Sequence, residues 1–479
     1  MHWLTVLKGL ALKKENKIAV LIGNSVQFVE TIFALAKIGV IIVPLNIRLS
    51  GNELSFIVNH SGATGIIFDN RFQSLLDSFK ERTPKLETFI WRGDGPPSGM
   101  YDYETLIAKS PVTDPHVQVG FEDECFTVYT AGTTGKPKGV VLMHKNVIFS
   151  AINLALGPPD GQGGMTTDDI QLITFPMFHV GGLNHLIVDI SLGQTMVLTE
   201  VVKPKIILQL IEKEKVTILD AVPSVLLKLI SSSYIGKYDT SSIRMVRGGG
   251  GVTSATLKEK LKVTFDVIGV GEGYGMTEAS SSVVGISPEE STKKGASCIG
   301  RQYMNVEVRI INDNGSDVRP DEVGTIMLYG PTIMKRYYKD EQRTKQAFKE
   351  GWLCTNDMAT VDEEGYIYFR GRKDDMFISG GENVYPAEIE GILLTHPKVK
   401  DVAVIGVPHE LWGETAKAIL VLKDGETMTL EEIIEYCTEK MANFKRPRIV
   451  HFVSELPCNA AGKVLRRLLR ECHGAAGSG

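Results

Sequence analysis

The chain has 479 residues and a formal charge of −5, from 52 Lys and Arg against 57 Asp and Glu. That length is more than one hydrophobic core can serve and implies roughly two to four structural units, while the charge balance excludes the basic footprint of a nucleic-acid-binding protein. A composition 43% apolar and 23% charged is that of an ordinary globular chain, and the early apolar stretch at 38–45 falls far short of the roughly 20 residues of a transmembrane helix.

The six cysteines, Cys125, Cys298, Cys354, Cys437, Cys458 and Cys472, show neither Cys-x-x-Cys nor a His at zinc-ligand spacing. They read as free thiols of a reducing compartment, which places the chain in the cytoplasm. The opening residues lack the order of a secretory signal, and residues 474–479 read as a tail outside the fold.

In chain order, residues 18–22 predict a strand, Val26–Lys37 carries apolar residues at helical spacing, and 40–43 predicts a second strand. This is a βαβ unit, whose right-handed crossover builds a parallel sheet. The rhythm returns with strands at 170–174 and 217–219, a helix at 224–230, a strand at 244–246, a helix from Thr253 and a strand at 265–270. After about Gly324 the texture turns to hairpins: Asp362-Glu363-Glu364-Gly365 between apolar runs marks a turn joining two strands. The last stretch predicts strands at 402–407, 418–422 and 449–453 with helices at 387–394 and 430–441. The expected fold is α/β: a large N-terminal domain (1–373) of several subdomains, its parallel sheets sandwiched by helices, and a small α+β C-terminal domain (374–473) beyond a short hinge near 372–375.

The sharpest chemical signal is Tyr129-Thr130-Ala131-Gly132-Thr133-Thr134-Gly135-Lys136-Pro137-Lys138-Gly139. Glycines admit backbone N–H groups close to phosphate oxygens, Thr hydroxyls donate, and Lys neutralises charge. The spacing is not that of a Walker A loop, and Gly269-Val270-Gly271-Glu272-Gly273 has the wrong interval for a dinucleotide fingerprint. A plain surface turn is the bland alternative for such a loop.

The loop resembles the phosphate loop of the adenylate-forming superfamily of acyl-CoA synthetases, luciferases and peptide-synthetase adenylation domains. Further motifs stand in that family's order: Pro176-Met177-Phe178-His179, Tyr274-Gly275-Met276-Thr277-Glu278, Thr355-Asn356-Asp357, Gly371-Arg372-Lys373-Asp374-Asp375 and Gly462-Lys463. The resemblance covers nearly the whole chain, although the chain opens almost at its first βαβ unit, without the family's usual opening segment. It implies an AMP-forming acid–CoA ligase with ATP, Mg2+, coenzyme A and a small carboxylic acid as partners; it sets no oligomeric state, a homodimer being one option.

Carried over residue by residue, the resemblance assigns Thr130, Ala131, Gly132, Thr133, Thr134, Gly135 and Lys138 to the phosphates. It assigns Gly249, Gly250, Gly251, Gly273, Tyr274, Gly275 and Met276 to the nucleoside, with Tyr274 stacking on adenine. Thr277 would donate to the α-phosphate and Glu278 would hold Mg2+. Asp357 would accept from the ribose, with Phe369 and Arg372 beside it. The catalytic set becomes Lys463, His179, Thr277 and Glu278, with Lys463 meeting the charge that spreads over the α-phosphate; read alone, Lys463 is a solvated charge at a helix start. Two departures stand out: Ala131 replaces the usual Ser, and Asn356 replaces Gly at a turn where Asn tolerates left-handed backbone.

The implied acyl pocket comprises His179 at its mouth, Val180, Gly182, Asn184, Val222, Arg247, Gly248 and Gly249. Gly251 and Val252 depart from the family's small residue and Pro, which suggests a roomier pocket. Arg247 is the candidate partner for a second substrate carboxylate. The run at 378–386 resembles fatty-acyl ligases, so a medium or long fatty acid is expected, with an aryl or cyclic acid as the alternative. Asp374 matches the family's hinge. Ser379, Gly380, Gly381 and Glu382 match its coenzyme A tunnel, and equally read as a tight turn before a helix. Rival readings are a loader of a separate carrier protein and a nucleotide-binding module without catalysis.

Overall fold

The computed structural model describes residues 12–109, 116–130, 137–159, 164–251, 253–295, 297–438, 440–458 and 464–474. Short apolar runs make the first sheet. Lys17–Leu21, Ile41–Pro44 and Gly65–Asp69 are buried along their whole length, as strands covered on both faces require. They pair in parallel, and the crossover helix Val26–Lys37 starts at Ser25, whose side chain accepts from the Phe28 N–H. At one side this eight-stranded sheet ends in the antiparallel hairpin Glu124–Thr130 and Lys138–Met143, followed by Arg336–Tyr337.

The second sheet has twelve strands and two characters. Thr195–Leu198, Ile170–Ile173, Ile218–Ala221, Met245–Gly249 and Val270–Met276 run parallel. From Ser281–Ile286 through Cys298–Gln302 and Ile367–Arg372 to Trp352–Val361, every pairing is antiparallel. The expected parallel sheets are therefore mixed sheets. The switch falls where the chain reverses after Met276 through the turn Thr277–Ala279, a reversal too tight for a crossover helix.

The strand expected at 265–270 begins only at Val270, because Leu257, Leu261 and Phe265 continue one buried stripe of the helix Ala255–Phe265. Asn356 adopts φ 60°, the left-handed conformation anticipated for it.

At Arg372 the chain leaves the second sheet, passes the turn Lys373–Asp375 and enters a five-stranded sheet at Phe377–Ser379. That sheet is built on the antiparallel pair Val399–His409 and Gly413–Leu422. Its core includes Phe377, Val384, Ile389, Val402 and Leu420. Among the described residues no helix is long and apolar enough to cross a membrane, and the six cysteines are free.

Helix Val180–Leu192 covers the parallel half of the second sheet, with Val188 in one core with Ala151, Leu154, Ile218 and Met245. Beside this core lies a polar layer. Arg247 donates to both oxygens of Asp220, Nε to Oδ1 at 2.7 Å, and Gln171 Nε2 donates to Asp220 at 2.7 Å. His185 stacks on Phe175 at 5.3 Å and sits 3.4 Å from Asp220. One helical turn further, the carboxyl of Asp189 has no hydrogen-bond partner among the described residues. Burial, then the neighbouring carboxylate of Asp220, pushes its pKa from 3.8 to about 8.

Folded Asp189 thus keeps its proton over a range in which the unfolded chain releases it. The folded state binds more protons between these two values, so this group's contribution to stability falls as pH rises from about 4 to about 8. Asp189→Asn removes that dependence. Its gain in stability over the wild type is expected to be larger at pH 8 than at pH 5, by on the order of 1–3 kcal/mol, read by thermal or denaturant unfolding at both values. An equal gain at both would place the ionisation elsewhere.

Candidate active site

Glu278 lies in the turn that reverses the second sheet and is 4% exposed. Lys138, from the hairpin of the first sheet, brings Nζ to 2.5 Å from its Oε1. Tyr337 donates its hydroxyl to the same oxygen at 2.8 Å and accepts from Lys138 at 2.9 Å. Burial alone would raise the Glu278 pKa, but the Lys138 charge and these hydrogen bonds outweigh it, and the carboxyl is held below its ordinary value. The surrounding backbone is fixed at several points. Met334 N–H donates to the Glu278 carbonyl at 2.8 Å, Ser150 Oγ to the Ser280 carbonyl at 2.8 Å, and Ser280 Oγ to the Thr332 carbonyl at 2.7 Å. Ser280 and Ser281 take φ of 61° and 114°, a strain that such anchoring sustains.

Both named bonds to Glu278 fall on Oε1, so Oε2 keeps acceptor capacity for a hard cation. The described residues hold no group of three or more His, Cys, Asp or Glu able to cage a metal. That donor set suits an ion brought in on phosphate oxygens. Thr130 and Lys138 face each other across the hairpin, so the phosphate loop joins two antiparallel strands. Ala131, Gly132, Thr133, Thr134 and Gly135 lie outside the described residues.

A second cluster stands on the strand leading to the Glu278 turn. Tyr274 donates its hydroxyl to Asp357 at 2.7 Å, and Asp357 pairs with Arg372 at 3.1 Å. Asp357 and Arg372 are direct partners across the strands Trp352–Val361 and Ile367–Arg372, which explains why residues distant in sequence meet. Tyr274 and Phe369 lie 6.2 Å apart, ring to ring. Burial and the adjacent Asp357 raise the Tyr274 phenol well above its ordinary value. Gly249 and Gly273 are paired in register beside this cluster. Gly275, Met276 and Thr277 carry the chain on to Glu278, while Gly250 and Gly251 follow Gly249 in the turn.

His179 is the cap residue of helix Val180–Leu192. Burial, and then Arg48, depress its pKa to about 4, and its Nε2 has no partner among the described residues. The imidazole is neutral at pH 7. Asn24 ties the preceding segment to the first sheet: it donates to Phe175 O at 2.9 Å and Thr199 O at 3.2 Å, and accepts from Met177 N at 2.9 Å. Neither Asn24 nor Tyr337 belongs to a motif, and no sequence signal marks them.

Side chains of a strand alternate faces. Met245, Arg247 and Gly249 therefore point towards helix Val180–Leu192. A Cβ on Gly249 would meet Phe175 at 3.6 Å, and one on Gly271 would meet the Arg247 stem at 3.3 Å. Gly249 thus leaves room beside Phe175, whereas a Cβ on Gly271 would also meet Ile286 O at 3.2 Å, so glycine there serves close packing. Asn184 is 1% exposed on that helix. Val222 lies beside Gly250, where a Cβ would meet it at 3.5 Å, and Val180 opens the helix.

Three expectations for this pocket need correction. Arg247 is held by Asp220 and is not a free partner for a second substrate carboxylate. Gly248 faces the opposite side of the sheet, where a Cβ would strike Thr253 Oγ1 at 2.4 Å. Gly182 serves close packing, since a Cβ there would strike Pro176 O at 2.3 Å.

Asp374 sits in the turn between the second and third sheets, its carbonyl accepting from Arg470 at 3.2 Å. Gly380 and Gly381, at φ 62° and 86°, form the hairpin turn between Ser379 and Glu382. A Cβ on Gly380 would strike the Trp412 ring at 2.7 Å. Backbone geometry accounts for both glycines as a tight turn. Lys463 lies outside the described residues; Cys458 and Val464, on either side, form an antiparallel bridge.

Comparison with known proteins agrees with this geometry. The AMP-binding enzyme family matches residues 5–338, and the AMP-binding enzyme C-terminal domain matches 388–463. An indoleacetate–CoA ligase of Aromatoleum aromaticum is 33% identical, the alignment covering 98% of this chain and 90% of the relative. A long-chain-fatty-acid–CoA ligase of Mycobacterium tuberculosis is likewise 33% identical, over 98% of this chain and 90% of that protein. Among solved structures, an anthranilate CoA ligase in complex with anthranoyl-AMP superposes with a TM-score of 0.92 at 29% identity, covering 98% of this chain and 90% of that one. With a shared fold, two family matches and relatives aligned almost end to end, the chain belongs to the AMP-binding, adenylate-forming enzyme family.

Proposed function

We propose that this protein is an AMP-forming acid–CoA ligase using ATP, Mg2+ and coenzyme A. The observation that carries the reading is the buried Glu278 carboxylate, kept charged by Lys138 and Tyr337 at the root of the phosphate hairpin, with Tyr274, Asp357 and Arg372 on the approach to the same turn. A carboxylate is a poor electrophile. Its oxygen attacks the α-phosphorus of ATP, the bond to the pyrophosphate leaving group breaks, and an acyl-adenylate forms. The thiol of coenzyme A, losing its proton, then attacks the acyl carbon, and AMP departs with the former carboxylate oxygen.

The chain's work in this sequence is charge placement and orientation. Glu278 Oε2 would hold a magnesium ion brought in with the nucleotide, whose charge would offset that of the phosphates, and Lys138 would face those phosphates. Tyr274 and Phe369 offer aromatic surface to the base, and Asp357 and Arg372 hold the ribose. Lys463, on the small domain proposed at 374–473, supplies the positive charge of the first step. A swivel about Asp374 then replaces it with the 379–382 turn. Relatives bearing names of both classes support either a medium or long fatty acid or an aryl or cyclic acid. A cytoplasmic setting, and coenzyme A in preference to a carrier protein, complete the reading.

Acid-dependent ATP–pyrophosphate exchange tests the first half-reaction. Lys463→Ala is expected to abolish exchange while sparing acyl transfer from supplied acyl-adenylate; equal survival of both steps would remove Lys463 from its role. Tyr337→Phe takes a donor from a charged acceptor, an effect of roughly 1.5–3 kcal/mol. KM for MgATP should rise about tenfold or more with little change in kcat, and an unaltered KM would exclude Tyr337 from the phosphate site. Across a series of straight-chain acids, affinity should climb by about 0.8 kcal/mol per buried methylene and then stop abruptly. A flat series alongside active ring acids would settle the acid as aryl or cyclic.

A further inference from the structure

We infer that Asn24 is a positioning residue for the ligase reaction: its side-chain amide fixes the segment Phe175–His179 at the carboxyl ends of the parallel strands, and through that segment it places the imidazole of His179 where the acid is taken up. The inference rests on the ligase reading, which brings an acid to that edge of the sheet, and adds to it a residue that acts through another.

The segment follows the strand Ile170–Ile173, and open α/β sheets bind ligands outside the carboxyl ends of their parallel strands. Thr174 Oγ1 donates to the Asp220 carbonyl at 2.7 Å. A Cβ on Gly249 would meet the Phe175 ring at 3.6 Å, and Gly249 is the register partner of Gly273, one residue before Tyr274. Asn24 reaches this edge from the first sheet, out of the turn between Lys17–Leu21 and helix Val26–Lys37. Its amide nitrogen donates to the Phe175 and Thr199 carbonyls, and its oxygen takes the Met177 N–H. Turned over, the amide would set its oxygen against two carbonyls and its nitrogen against an N–H, so one orientation alone fits. The bonds to residues 175 and 177 bracket Pro176. The Pro176 carbonyl accepts from His179 N at 3.1 Å and lies against Gly182, where a Cβ would strike it at 2.3 Å. Fixing both neighbours of Pro176 therefore fixes the backbone that carries the imidazole.

The turn that carries Asn24 is itself held. Gly23 N donates to Asp69 at 3.2 Å, and the buried Asp69 also pairs with Arg71 and Arg92. Arg71 bonds Glu200 at 2.6 Å, next to Thr199, and a Cβ on Gly23 would overlap both side chains. A second tie thus joins the same turn to the loop after Thr195–Leu198. Glu278, Tyr274 and Asp357, which the ligase reading gives to MgATP, are held by Lys138, Tyr337 and Arg372 instead. Loss of the Asn24 bonds therefore loosens one half of the site and leaves the other set. A binding arrangement populated only part of the time weakens apparent affinity by that fraction, so the loss falls on the acid.

The test is ATP–pyrophosphate exchange on the full chain with octanoate, decanoate, benzoate and 3-phenylpropanoate, the acid best used by the wild type serving throughout. Asn24→Ala should lower kcat/KM for that acid about tenfold or more, chiefly through KM, with KM for MgATP held within about twofold. Asn24→Asp keeps an acceptor for Met177 but turns a carboxylate oxygen on two carbonyls, and should lose more than Asn24→Ala. A residue that merely supports the fold would lower the melting temperature and the active fraction, so that kcat drops while both KM values stay. On a His179→Ala background, Asn24→Ala should cost less than about threefold, because the ring through which it acts is gone. Unaltered kinetics, a fall in kcat alone, a parallel rise in both KM values, or a larger loss on the His179→Ala background overturns the proposal. If His179→Ala leaves no exchange, the two KM values decide alone. Should Asn24→Ala fail to fold, Asn24→Ser takes its place, with a rise of about threefold or more expected in the acid KM. Wild-type exchange with none of the acids would instead defeat the ligase reading itself.

Discussion

A carboxylate stays charged out of water only where cations and donors replace its hydration. Glu278 meets that condition with groups from three separate stretches of chain: its own turn in the second sheet, Lys138 from the first-sheet hairpin, and Tyr337 from the short strand at that sheet's edge. Loss of Lys138 would leave the buried Glu278 charge uncompensated, and loss of Tyr337 would remove a donor from it. The arrangement therefore welds the two large sheets at the hairpin Glu124–Thr130 and Lys138–Met143. It also explains why a strained pair of residues, Ser280 and Ser281, persists there. The hydroxyls of Ser150 and Ser280 and the Met334 amide pin the turn on both sides.

The face of the second sheet under helix Val180–Leu192 obeys a different constraint. Parallel strands covered by a helix ordinarily fill the space between with branched side chains. Here Gly249, Gly271 and Gly273 carry none: Gly271 and Gly273 admit close packing, an added Cβ meeting Ile286 O at 3.2 Å and Ser282 Oγ at 2.9 Å, and Arg247 is the next side chain on that face. An arginine this buried needs a carboxylate, and Asp220 occupies it fully. The pair acts as a polar floor without net charge. His179, the cap of the covering helix, is likewise held neutral by its burial.

Much of this was legible in the sequence, for reasons specific to each element. Helix Val26–Lys37 was readable to its ends because a cap and apolar spacing agree. The hairpin around Asp362–Gly365 carried its turn chemistry openly, and the two strands pair from Val361 and Ile367 outward. The strand at 265–270 was misjudged because Phe265 satisfies both strand and helix patterns, and burial with Leu257 and Leu261 decides for the helix. Asn24 and Tyr337 were invisible because their roles arise only from tertiary approach. Nothing local to Arg247 marks it as paired, because its partner lies on a neighbouring strand, 27 residues earlier in the chain. Register, not composition, determines that pairing.

The link between the second and third sheets is anchored on both sides. Arg372 is tied back to Asp357 in the second sheet. Asp375 is tied forward, its carboxylate meeting Arg466 at 3.4 Å and Arg470 at 3.0 Å on the helix Arg466–His473. Arg466 also bonds Glu390 at 2.6 Å, which locks that helix to Pro386–Leu393 within the same unit. Between these anchors stand Lys373 and Asp374. The Lys373 contact to Asp313 is exposed, and such pairs hold little energy. Lys373 and Asp374 are thus the short link between the anchors of two separately packed cores.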